Sequence, residues 1–192
     1  SAKFAIVGDQ EQCDKLLEIK DKLPALTEII YLDPRGLRKY DHSHLQAYKD
    51  VQKIGREKAQ SQNETLEKRL NNQTENTTCV MLYTSGTTGK PKGVVLTYKN
   101  VLSASKAASE FDNLKHTDEI LAYLPMAWVG DFIFANGQAL WVGFCVNCPE
   151  SPETMQGDLK EIGPTYFFSP PRIFETMLTT ITIRMEDARN IK

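Results

Sequence analysis

Short apolar runs alternate with longer amphipathic or polar stretches along this chain, the pattern of strands separated by helices. Phe4-Ala5-Ile6-Val7, closed by Gly8-Asp9, reads as a strand. From Gln12 to Lys22, Cys13, Leu16 and Leu17 fall on one side, which is helical spacing. Ile29-Ile30-Tyr31-Leu32 predicts a second strand, stopped by the turn former Asp33-Pro34-Arg35-Gly36. Strand, helix and strand in this order are what a parallel sheet needs. Residues 43–71 predict one long polar helix with Leu45, Tyr48, Val51 and Ile54 spaced by threes. The charges over 49–71 then form a solvated helix surface.

The second half repeats the alternation. Cys79–Tyr83 and Val94–Leu96 are β-like runs around a polar loop. Thr97 is placed to cap a helix running to about Phe111. Ile120–Leu124 predicts a strand, Gly130–Val142 an apolar helix and Cys145–Cys148 a short strand. Ser151-Pro152-Glu153 predicts a helix start, with serine as cap and proline in the first position. Tyr166-Phe167-Phe168 predicts a further strand. Phe174, Leu178, Ile181 and Met185 recur at four, three and four residues, the core-facing stripe of a last helix. Lipid contact is the rarer use of such a stripe. The whole predicts an α/β fold, a layered sheet-and-helix domain.

Composition narrows the classes. The 192 residues, 41% hydrophobic and 25% charged, suit one ordinary globular domain. A net charge of −2 argues against a nucleic-acid partner, which calls for a basic surplus. No apolar run reaches the about 18 residues of a membrane span, and without a signal sequence a cytoplasmic location is expected. Cys145-Val146-Asn147-Cys148 has metal or redox spacing, but Cys13 and Cys79 are scattered singles, so no metal site is expected. His42-Ser43-His44 lacks a third ligand nearby and reads as surface.

The chemistry concentrates in Tyr83-Thr84-Ser85-Gly86-Thr87-Thr88-Gly89-Lys90-Pro91-Lys92-Gly93. Its glycines let the backbone turn tightly and approach a ligand. Successive N–H groups there form an anion nest, and Thr84, Ser85, Thr87 and Thr88 add hydroxyl donors. Lys90 and Lys92 add positive charge, and Pro91 stiffens the segment between them. A polyphosphate suits this loop. It is not the phosphate loop of kinases and NTPases, because only two residues separate Gly86 from Gly89 and Pro91 stands where the Mg²⁺-binding hydroxyl is needed.

The string Tyr83–Gly93 resembles the signature of the AMP-forming acyl-CoA synthetases, the adenylating superfamily. Leu124-Pro125-Met126-Ala127-Trp128 is similar to the Leu-Pro-Leu/Met element that follows in this family, with Trp128 where many long-chain members have His. Asn147-Cys148-Pro149-Glu150-Ser151, Gly163-Pro164-Thr165 and Pro170-Pro171-Arg172-Ile173-Phe174-Glu175 resemble the bacterial long-chain fatty acyl-CoA synthetase branch. The resemblance spans most of the chain and is sharp from about residue 79 onward. It implies an acid–thiol ligase that uses ATP and Mg²⁺, forms an acyl-adenylate and transfers the acyl group to coenzyme A. It implies that Thr84, Ser85, Gly86, Thr87, Thr88, Gly89 and Lys92 hold the nucleotide phosphates, with Lys92 as the catalytic cation. It places Trp128, Val129 and Gly130 on acyl and coenzyme A pocket walls, although tryptophans more often serve core packing.

Other family motifs do not occur in residues 1–192: the Gly-Tyr/Trp-Gly-x-Thr-Glu adenine motif, the Tyr-x-Thr-Gly-Asp ribose motif and the C-terminal domain with its lysine. Residues 1–192 are therefore expected to be part of the N-terminal AMP-binding domain, inactive alone. Small molecules are the expected partners of the parent enzyme, with peripheral membrane contact and self-association of this piece as further expectations. Two other classes stay open on the residues alone, a stand-alone nucleotide-binding module and another adenylating enzyme of the same superfamily.

Overall fold

The computed structural model describes residues 2–84 and 89–190, which divide into two compact units at Asn72 and Gln73. The first unit holds a three-stranded parallel sheet of β1 (Phe4–Val7), β2 (Glu28–Tyr31) and β3 (Leu45–Ala47), in that order. Ile6 lies opposite Ile30, and Ile29 opposite Leu45. The first crossover contains α1 (Gln10–Glu18). Asp9 caps α1, accepting from the Gln12 amide at 3.2 Å, and this starts the helix two residues earlier than the apolar spacing indicates. The helix also ends earlier, and Lys20–Lys22 forms a separate 3₁₀ turn. Cys13, fully buried, joins Val7, Leu26, Ile29, Tyr31, Leu37 and Leu45 in one core under α1. Burial raises the Cys13 thiol above its usual range, with Asp14 and Asp9 adding to the effect.

The long polar helix, α2 (Tyr48–Asn71), begins later than its pattern suggests, because Leu45–Ala47 is strand β3. Pairing with β2 buries Leu45, and that burial outweighs the helical propensity of the segment.

In the second unit β4 (Thr78–Thr84) and β5 (Lys92–Thr97) form an antiparallel hairpin. Its return strand enters α3 (Tyr98–Phe111) through a reciprocal cap. The Thr97 hydroxyl accepts from the Asn100 amide at 3.2 Å, and the Asn100 side chain accepts from the Thr97 amide at 3.0 Å. A parallel pair, β6 (Glu119–Leu121) and β7 (Cys145–Asn147), is joined through a continuous helical run. That run comprises α4 (Val129–Asp131), a π-helical segment (Phe132–Gly137) and α5 (Gln138–Val142), ended by Gly143 at φ +87°. Ile120, Ala135 and Phe144 form the core between these strands and the run.

Four expectations need correction. β6 stops at Leu121 because its partner β7 is only three residues long. Of Tyr166–Phe168, only Tyr166 pairs, as a single bridge to Ile120. Ser151 does not cap a helix. It exchanges hydrogen bonds with Thr154 in a turn, at 3.1 and 3.3 Å, and α6 runs from Met155 to Ile162. Finally, α7 (Pro171–Asn190) forms, but its apolar stripe is not core: Leu178 is 67% exposed, and Phe174, Ile181 and Met185 are also exposed. Periodicity reports that a face is apolar, not that the described residues cover it.

Candidate functional site

The glycine-rich string begins at the end of β4 and finishes in β5. Thr84 and Lys92 are the last residues paired across the strands, so residues 85–91 span their gap. Ser85, Gly86, Thr87 and Thr88 lie outside the described residues. Gly89 takes φ +80°, a left-handed conformation that disfavours any side chain. Lys90 and Lys92 are exposed. Gly93 faces Tyr83 across the hairpin, and a Cβ there would stand 3.3 Å from the Tyr83 ring and from Met81 Sδ. Glycine therefore lets the tyrosine ring lie close over the return strand.

Beside the hairpin is an apolar cavity of about 810 Å³. Leu82, Thr84 and Val94 form its hairpin side, Trp128 and Val129 line the opposing loop, and Phe168 contributes from the segment before α7. Thr84 and the distant run Trp128, Val129 and Gly130 thus border one space, which Gly89 and Lys92 do not line. Trp128 borders this cavity and is 54% exposed. Gly130 allows a close approach, since a Cβ on it would lie 3.2 Å from the Phe168 ring.

Several side-chain contacts that no sequence pattern indicates hold this wall in place. The Tyr123 hydroxyl donates to Ser169 Oγ at 2.6 Å, and its ring stacks on Phe167 with centroids 5.6 Å apart. Burial raises the Tyr123 hydroxyl pKa, with the Ser169 contact opposing it. The Tyr166 hydroxyl, pushed well above the usual phenol range by burial and then by Asp112, donates to Asp112 Oδ2 at 2.9 Å. Thr165 Oγ1 donates to Asp118 Oδ1 at 2.8 Å and accepts from the Glu119 amide at 2.9 Å. Asp118 also accepts from the Lys115 amide, and this contact is the main reason its carboxyl sits below the usual range.

Asp131 is the unexpected member. It is 4% exposed, and burial raises its carboxyl pKa. It borders a small cavity of about 20 Å³ with Leu124, Tyr166 and Phe168. Its short acidic side chain follows Gly130 in an apolar helix pattern, which gives no hint of burial. Among the described residues, no group of three His, Cys, Asp or Glu side chains could hold a metal ion. Cys145 and Cys148 are exposed free thiols.

Thr84, where the glycine-rich string begins, thus borders an apolar cavity on an α/β unit. The family model for AMP-binding enzymes matches residues 1–191, and the chain belongs to that family. It is 30% identical over 185 residues to the long-chain-fatty-acid–CoA ligase ACSBG2 of Xenopus laevis, covering 92% of this chain and 24% of that protein. The chain thus spans about a quarter of the length of such curated relatives. Solved structures share the fold. The long-chain-fatty-acid-CoA ligase FadD1 of Archaeoglobus fulgidus superposes with a TM-score of 0.60 at 16% identity, over 94% of this chain and 33% of that one. The o-succinylbenzoate CoA synthetase MenE of Bacillus subtilis, in complex with the acyl-adenylate OSB-AMP, gives 0.57 at 15% identity, over 93% and 52%.

Proposed function

We propose that this chain is the phosphate-binding and acyl-pocket portion of an AMP-forming long-chain fatty acid–CoA ligase. One observation carries the reading: the phosphate-type loop begins at Thr84, and Thr84 is itself on the wall of the 810 Å³ apolar cavity. A polyanion site and an apolar site with a shared border suit a reaction between ATP and a fatty carboxylate.

In the first step a carboxylate oxygen attacks the α-phosphorus of ATP. A new acyl–O–P bond forms, the α–β phosphoanhydride breaks and pyrophosphate leaves. The coenzyme A thiol, losing its proton, then attacks the acyl carbon and AMP leaves with the bonding pair. Bringing a carboxylate to a polyanion requires charge neutralisation and fixed orientation. The Thr84, Ser85, Thr87 and Thr88 hydroxyls and the Gly86 and Gly89 amides hold the β- and γ-phosphates. Lys92 balances charge on the departing pyrophosphate. Trp128, Val129 and Gly130 border the acyl chain. Mg²⁺ arrives with the nucleotide phosphates. Among the described residues no group of three His, Cys, Asp or Glu side chains could hold it. The proposed location is cytoplasmic; among the described residues no helix is long and apolar enough to cross a membrane.

Single-turnover kinetics of the intact enzyme test the assignment. Lys92→Ala should slow reaction from ATP by about 10²–10³-fold, an amount typical of losing one donor to a developing charge. Reaction from preformed acyl-adenylate should be nearly unaffected, since no pyrophosphate remains. Equal slowing of both would show that Lys92 does not act on the pyrophosphate.

A further inference from the structure

Phe168 stands where separate cavities meet. Its ring borders the 810 Å³ cavity beside the hairpin and also a second apolar groove of about 430 Å³, lined by Phe111, Phe134, Tyr166, Phe167 and Phe174. The ring lies nearly parallel to that of Phe134, with centroids 3.9 Å apart and planes at 14°. On another side it meets Gly130, where the absent Cβ leaves it room. The backbone around it is fixed at both ends. The Tyr166 amide donates to the Glu119 carbonyl at 3.1 Å, and Ser169 is held by the Tyr123 hydroxyl at 2.6 Å. Between these anchors Phe168 is 39% exposed.

The geometry points to Phe168 as the residue that sets how long an acyl chain the site accepts, its ring being the partition between the hairpin cavity and the aromatic groove. The inference rests on the reading of the hairpin cavity as the acyl site. A chain that fits the first cavity stops against Phe168. A longer chain must displace the ring from Phe134 and continue into the groove, where the lining is aromatic and apolar. Removing the ring joins the two spaces and gives every further methylene a place out of water, at a gain that grows with chain length. The groove has one acidic neighbour, Asp112, which the Tyr166 hydroxyl already engages, so its chemistry favours an uncharged tail.

The test uses the intact enzyme and compares kcat/KM for medium-chain and long-chain fatty acids. Phe168→Ala should raise the long-to-medium ratio about tenfold, the lower end of what one methylene contributes in an apolar pocket. Phe168→Leu, which keeps apolar volume against Phe134, should raise it less, and it serves if the alanine variant fails to fold. Phe168→Trp should lower the ratio. Trp128→Ala is measured in parallel, because Trp128 borders the hairpin cavity and not the groove. An altered KM for all chains in Trp128→Ala, with an unchanged ratio in the Phe168 variants, would overturn the partition and leave the acyl site standing. No change in any variant would overturn both.

Discussion

Gly137→Ala isolates one packing constraint. Gly137 is the last residue of the π-helical segment and has ordinary helical angles, φ −63° and ψ −47°, so alanine costs nothing in backbone conformation. On helix propensity alone it would stabilise by about 0.5–1 kcal/mol. The obstacle is α3. A Cβ on Gly137 would stand 2.2 Å from Ser105 Oγ, inside contact distance. Ser105 is fully buried, and its hydroxyl donates to the Val101 carbonyl at 2.8 Å, so rotation away loses a buried hydrogen bond of about 1 kcal/mol. Overpacking of this kind costs about 1–3 kcal/mol, leaving a net loss on the order of 1–2 kcal/mol. With Ser105→Ala in the same chain, the nearest atoms to the new methyl are Ser105 Cβ at 3.4 Å and Val101 Cγ1 at 3.5 Å, ordinary contacts. The double variant should therefore recover wild-type stability, a favourable coupling of about 1–3 kcal/mol. Urea unfolding midpoints at constant m measure it. Gly137→Ala as stable as wild type, or two losses that simply add, would refute the close approach of α3 to the π segment.

Thr97→Ala removes the hydroxyl half of the α3 cap and should cost about 1 kcal/mol, lowering Tm by about 2–4 °C in a chain this size; an unchanged Tm would rule out the cap. Asp131 has a folded pKa raised by burial, so its penalty on stability is absent below the unfolded carboxylate pKa, builds as pH rises and is complete above the folded value. Asp131→Asn should accordingly stabilise at neutral pH, with a gain that vanishes on acidification in paired denaturation curves; a pH-independent difference would contradict the burial. Val95 and Met81 on the hairpin and Leu178 and Ile181 on α7 are exposed apolar side chains, so this chain should self-associate at micromolar concentration. Light scattering across a dilution series checks this, and a monomer throughout would refute it.

Much of the fold is legible in the residues because its causes are local. Phe4–Val7 is a strand by composition and a closing turn, and the Thr97 cap lies three residues from its partner Asn100. The glycine loop stands out because hydroxyls, glycines and lysines fall within eleven consecutive residues. Only the resemblance points to Trp128, Val129 and Gly130, because no periodicity separates a cavity-lining residue from a core one.

Tertiary structure decided the rest. Leu45 became a strand residue because β2 offered an edge, against the helical pattern around it. Asp131 became buried because the run after Gly130 packs against Tyr166 and Phe168, far along the chain. Ser105 and Gly137 are unremarkable in sequence, and only the approach of two helices makes each depend on the other's size. The reverse holds for α7, whose periodic stripe is as regular as any core face yet remains exposed. Capping, turn formation and loop chemistry act over a few bonds and are written in order along the chain. Burial, cavity shape and steric limits depend on which distant atoms arrive within a few ångströms, and a linear pattern carries no record of that distance.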